Sequence, residues 1–169
     1  MRTLYLLRHA KSSWSDPRLP DRERPLAPRG RRDAKRIAKH LLRLGIKPQL
    51  VLCSSAERTR ETLELVQPAL GPTSTVRLEA ELYAASADRL LERLRDVPDE
   101  VASVLLIGHN PGLHDLALVL ASAGRELELL EAKFPTAALA TLSLADATWG
   151  RLAQGDAVLA AYVVPKQLS

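Results

Sequence analysis

Three short stretches carry side chains able to handle a phosphoryl group. Arg8-His9 follows an apolar run, Arg58 lies within Ser54-Ser55-Ala56-Glu57-Arg58-Thr59-Arg60-Glu61-Thr62, and His109 lies within Gly108-His109-Asn110-Pro111-Gly112. A neutral imidazole nitrogen is a competent nucleophile toward phosphorus. A guanidinium can grip two phosphate oxygens at once and counter the charge that spreads over them during transfer. His109 stands just before a predicted helix start, where free backbone N–H groups favour anions. Together the two Arg and two His offer positive charge that metal-dependent phosphatases draw from metal ions. No cofactor is called for, and His109 and His114 are not spaced to share one helix face, so no metal site is expected.

These stretches need a scaffold that brings them together. Thr3 to Leu7 reads as a buried strand, as do Gln49 to Cys53 and Ser103 to Ile107; Thr75 to Leu78 is a weaker one. Helical spacing marks Pro28 to Leu44, Ala56 to Leu70, Ala87 to Leu94 and Pro111 to Ala121, the last with proline at its first position. Ala137 to Leu144 and Val158 to Val164 read as a closing pair of strands, with a turn around Trp149-Gly150. Strand and helix in alternation predict an α/β three-layer sandwich. Its central sheet is mostly parallel with helices on both faces, and it carries an antiparallel edge strand from the closing pair. Ligands of such sheets bind beyond the carboxyl ends of the strands, and each of the three stretches follows a predicted strand. The polar, proline-punctuated segment from Trp14 to Pro28 reads as a surface loop beside that rim.

The segments Leu6-Leu7-Arg8-His9-Ala10-Lys11-Ser12-Ser13-Trp14, Ser54 to Thr62 and Gly108 to Gly112 resemble the motifs of the histidine phosphatase superfamily, which includes the phosphoglycerate mutases. Arg24-Pro25-Leu26-Ala27-Pro28-Arg29-Gly30 is similar to a further stretch of that group. In a chain this short, the nearest resemblance is to the SixA-like phosphohistidine phosphatases. It implies that His9 forms a phosphohistidine intermediate and that Arg8, Arg58 and His109 form the phosphate pocket. Ala10 replaces the glycine usual after Arg-His, which agrees with the SixA-like branch. Lys11 stands where mutases often carry an acidic residue, which argues against mutase activity. Lys11 and Ser15 are further candidate substrate contacts. The family usually supplies a general acid from a carboxylate near mid-chain. Here Glu81 is the candidate and Glu79 its rival, on the same side if the segment is extended. Neither is required if the leaving group is an imidazole, which protonates readily near neutral pH.

With 169 residues, a hydrophobic fraction of 46% and a charged fraction of 26%, the chain reads as one domain spanning residues 1–169. Aromatics are only 4%, which leaves few stacking platforms for single-stranded nucleic acid. The single cysteine, Cys53, demands no oxidising compartment. Cys53 opens a stretch that is similar to a cysteine-dependent phosphatase loop, but its Arg58 falls one residue early, so a buried strand thiol is expected instead. The apolar run at the N-terminus is short for a signal peptide, and no apolar stretch approaches the ~18 residues of a membrane span. A cytoplasmic location without membrane contact is expected. The basic residues from Arg29 to Arg43 could hold nucleic acid or an acidic protein, and otherwise form the solvated face of an amphipathic helix.

The expected activity is therefore a metal-independent phosphatase acting through His9, most naturally on phosphohistidine in proteins. The alternatives are a broad-specificity small-molecule phosphomonoesterase, or a non-catalytic module that binds phosphorylated ligands or nucleic acid. The expected partners are thus a phosphorylated protein or a small phosphomonoester, with no membrane and no nucleic acid among them. EDTA is expected to leave turnover unchanged; a loss of activity restored by Mg²⁺ would contradict the charge assignment.

Overall fold

A computed structural model describes residues 1–169. In chain order the elements are β1 (Arg2–Arg8), α1 (Pro28–Arg43), β2 (Leu50–Ser54), α2 (Glu57–Leu70), β3 (Thr75–Glu79), α3 (Ala87–Arg95), β4 (Ser103–Gly108), α4 (Gly112–Leu120), β5 (Ala121–Ala123), α5 (Leu127–Ala132), β6 (Leu139–Leu144) and β7 (Ala157–Val163). Short 3-10 turns lie at Asp21–Glu23, Ala80–Leu82, Trp149–Arg151 and Pro165–Gln167. No helix is long and apolar enough to cross a membrane.

One sheet runs in the order β3-β2-β4-β1-β6-β7-β5. β3, β2, β4 and β1 pair in parallel, and β7 pairs in parallel with β5. Only β6 runs against its neighbours β1 and β7. The expected antiparallel strand is therefore present but lies inside the sheet, because β5 pairs with β7 and takes the edge. β5 and α5 were not foreseen. The apolar run that reads as helix to Ala121 stops at Leu120, and Ala121 turns to extended backbone with ψ 116.

Alternate residues of each buried strand feed opposite layers, as strand geometry requires. Leu4, Leu6, Leu52, Val104 and Leu106 pack with α3, α4 and Trp149. Leu7, Val51, Cys53, Leu105 and Ile107 pack with Ile37 and Leu41 of α1 and Leu63 and Val66 of α2. Each such leucine contributes roughly 1.5–3 kcal/mol by leaving water. These two layers clamp the parallel strands in one register, with Arg8 opposite Gly108 and Cys53 opposite Ile107.

Two helix starts fix the rim. Pro111 occupies the N-cap of α4 rather than its first turn, as the sequence had implied. The Asn110 side chain explains the shift: its Oδ1 accepts from His114 N at 3.2 Å, serving a backbone group that the helix leaves free. Gly112 then abuts the chain before α3 so closely that a Cβ would lie 1.9 Å from Ala85 O. Gly112→Ala must displace backbone, at about 1–3 kcal/mol, and is expected to lower the thermal midpoint by roughly 3–10 °C. Gly150→Ala is the control, since its Cβ would meet only Arg95 O at 3.8 Å; equal midpoints for the two variants would refute this packing.

Candidate active site

The parallel register sets the geometry. Because Arg8 faces Gly108, the next residue on each strand is a histidine, and His9 N donates to Gly108 O at 3.1 Å. The two rings come to 5.2 Å between centroids. On the far side of β4, Ser54 ends β2, and its Oγ lies 2.7 Å from His109 Nε2. The buried backbone of Ala137, held at φ 61, donates to both Arg8 O (3.1 Å) and His9 O (3.0 Å). Such a conformation is unusual for alanine, and here it anchors the turn that presents both residues.

His9 is buried, and its Nδ1 lies 2.7 Å from Ala10 O. A carbonyl only accepts, so Nδ1 carries the proton and Nε2 keeps its lone pair. Burial, opposed by that hydrogen bond and reinforced by His109, Arg58 and Arg8, lowers the His9 pKa to about 3. Burial, followed by Arg58, lowers that of His109 to about 4. Both rings are thus neutral near pH 7. Ala10 N in turn donates to Thr62 Oγ1 at 3.0 Å, and that hydroxyl donates to Arg58 O at 2.7 Å. One threonine therefore ties the turn after His9 to the first turn of α2.

Arg58 is buried and reaches Asp21 twice, through Nη1 to the backbone oxygen (2.8 Å) and Nη2 to Oδ2 (3.0 Å). Arg8 donates through Nη1 to Phe134 O at 3.2 Å. Burial and the charge of Arg58 lower the Arg8 pKa, so two like charges are held close in a partly dry place. Arg8 Nε, Arg58 Nε and His109 Nδ1 are buried with no protein partner. An unpaired buried donor costs about 1–3 kcal/mol, and the free Nε atoms of the two guanidinium groups beside the His109 ring make a site suited to a tetrahedral oxyanion.

Arg8, His9, Arg58 and His109 are thus brought together. The other sequence candidates are placed differently. β3 ends at Glu79 and the chain turns through Ala80–Leu82, so Glu79 and Glu81 do not share one extended face. Glu79 makes two bonds to Arg93 of α3, at 2.7 and 2.9 Å. Glu81 is exposed, and its charge acts on Arg93 as well. Lys11 is exposed, with its backbone oxygen bound to Ala27 N. Ser15 is exposed and pairs with Ser13. Cys53 is buried in β2, its thiol pushed up to about 12 chiefly by burial.

Two residues at the site were missed. Asp21, in the loop that reads only as polar surface, holds Arg58; its pKa is lowered to about 2, first by the Tyr83 hydroxyl and further by Arg58. Tyr83 donates to Asp21 Oδ2 and sets its ring edge-on to His109 at 5.4 Å. The Arg22 guanidinium covers the Tyr83 ring at 4.7 Å. A tyrosine two residues after the Glu81 candidate was the available signal for Tyr83. Asp21 had none, because its partners are distant in sequence.

Known proteins place this arrangement. The family described as histidine phosphatase superfamily (branch 1) matches residues 4–86. An uncharacterized protein of Mycobacterium tuberculosis (strain ATCC 25618 / H37Rv) is 38% identical over 165 residues, covering 95% of this chain and 100% of that protein. The solved structure of a candidate phosphohistidine phosphatase SixA from Nakamurella multipartitia shares 32% identity and a TM-score of 0.79, over 97% of this chain and 96% of that one. Its counterpart from Agrobacterium tumefaciens shares 30% identity and a TM-score of 0.79, over 97% and 98%.

The two lowered imidazole pKa values set a stability trend. Both lie below the 6.5 of free imidazole. Between about pH 6.5 and 4 the unfolded chain takes up protons that the folded rings refuse, so this contribution declines as pH falls and is flat above pH 6.5. Urea midpoints are expected to drop over that range, and less steeply in a His9→Asn/His109→Asn double variant. Identical slopes for the two proteins would rule out burial of neutral rings.

Proposed function

The chain belongs to the histidine phosphatase superfamily, in its SixA-like branch, and from that premise we propose that it removes phosphate from phosphohistidine in proteins, with His9 as nucleophile. In the proposed first step His9 Nε2 forms a bond to phosphorus while the phosphorus–nitrogen bond of the substrate breaks. The departing imidazole takes its proton from solvent. Water then attacks the phosphorus on His9, releasing inorganic phosphate and restoring the neutral ring. Arg8 and Arg58 hold the non-bridging oxygens and His109 donates to a third. Substrate oxygens would satisfy the donors that lack protein partners.

One observation carries the choice of substrate. The carboxylate hydrogen-bonded at this site is Asp21, and its bonds to Tyr83 and Arg58 hold it ionised down to about pH 2. In that state it has no proton to give. An alkoxide leaving group needs a proton donor, help worth roughly 10²–10⁴-fold, whereas an imidazole accepts its proton from water near neutral pH.

A peptide bearing phosphohistidine is therefore expected to turn over at least about 10²-fold faster than the same peptide bearing phosphoserine. Equal rates would defeat the substrate assignment. His9→Ala is expected to lower kcat by at least about 10³-fold and to abolish acid-labile phosphate trapped on the protein. Retained trapping in that variant would remove His9 from the role.

A further inference from the structure

Beside the catalytic rim lies a cleft of about 440 Å³ between α1, residues 133–136 and the turn Pro165–Gln167. Its walls carry Arg29, Arg32, Arg36, Lys133 and Lys166, with Asp33 as the one carboxylate among them. Arg29 and Arg36 both lean on Asp33, at 4.0 and 3.2 Å. One carboxylate against five cations leaves a net positive groove drawn from three separate parts of the chain. That is more than the solvated face of one helix, and such a concentration attracts anions.

The groove neighbours the site through one short segment. Pro135 and Thr136 line it; Phe134, just before them, gives its carbonyl to Arg8, and Ala137, just after, binds the backbone of Arg8 and His9. We propose that this groove seats an acidic segment of a protein partner, next to the residue whose phosphate enters the site. From Arg29 to Arg36 the helix rises about 10 Å, the span of three or four extended residues. Guanidinium forks match carboxylates bidentately. A nucleic acid fits less well: the groove has no aromatic wall on which bases could stack. The inference deepens the reading of a protein substrate and rests on it, but the groove can be tested without turnover.

The probe is a fluorescein-labelled, unphosphorylated peptide with four consecutive glutamates, compared with its glutamine counterpart by anisotropy at low salt. The full chain is expected to prefer the glutamate peptide by about tenfold, given several exposed charge pairs, and to lose that preference as salt rises. Arg32→Glu/Lys166→Glu, which leaves Arg8, His9, Arg58 and His109 intact, is expected to abolish the preference with an unchanged thermal midpoint. Arg32→Gln/Lys166→Gln is expected to halve it or more, and serves if charge reversal impairs folding. Equal affinity for the two peptides, or a preference that survives both variants, overturns the proposal. So does groove-dependent binding of a DNA oligonucleotide that leaves the glutamate peptide unbound. Failure of the phosphohistidine reading would appear separately, as equal turnover of phosphohistidine and phosphoserine peptides with the anisotropy result unaffected.

Discussion

In the central sheet Arg8 of β1 lies opposite Gly108 of β4, and Cys53 of β2 lies opposite Ile107. That register is what the site depends on. It makes His9 and His109 the first residues past two adjacent parallel strands, and it brings Ser54 to the edge of the same rim. A shift of one residue would exchange the strands' two packed faces between the helical layers, so the buried leucines on both faces hold the histidines in place as much as they hold the fold. The site lies at the carboxyl ends of β1, β2 and β4, whose core side chains are buried.

Given that placement, the electrostatics follow from burial. Two guanidinium groups lie close enough for Arg58 to lower the pKa of Arg8, and two imidazoles beside them are held neutral. Protein partners answer part of this charge: Asp21 for Arg58, and the carbonyl of Phe134 for Arg8. The remaining buried donors are unanswered within the chain. A phosphoryl group brings what the site lacks, namely several acceptor oxygens and negative charge at one point. The neutral state of His9 that burial enforces is also the state in which an imidazole attacks phosphorus.

Asp21 and Tyr83 give the loop after β1 a part in this balance. Asp21 bridges the Tyr83 hydroxyl and Arg58, while Arg22 covers the tyrosine ring and donates to Ser55 Oγ at 3.0 Å. The segment that reads as a polar connection is therefore bonded to the rim at several points. Its ionised carboxylate orients Arg58 and carries no spare proton.

Much of this was legible in the sequence. The apolar runs, the helical spacing and the Arg-His, Ser-to-Thr62 and Gly-His-Asn-Pro segments identify a parallel α/β sheet with Arg8, His9, Arg58 and His109 at strand or helix ends, because burial and periodicity are local properties of the chain. β5 and α5 were missed because three strand residues and six helical ones hardly register as a period, and the strand that β5 pairs with, β7, lies far along the chain. Asp21 was missed for a related reason: a carboxylate in a polar loop becomes part of a site only through the arginine and tyrosine that the fold brings to it. Glu79 and Glu81 would share a side only on an extended segment, and the backbone turns there through Ala80–Leu82 while Arg93 binds Glu79. The residue types able to move a phosphoryl group were thus determined by the sequence alone. Which of them meet, which carboxylate is held ionised, and which of the basic residues on α1 face a groove were decided by tertiary structure, because distances between remote segments and the water they exclude exist only once the sheet has closed its register.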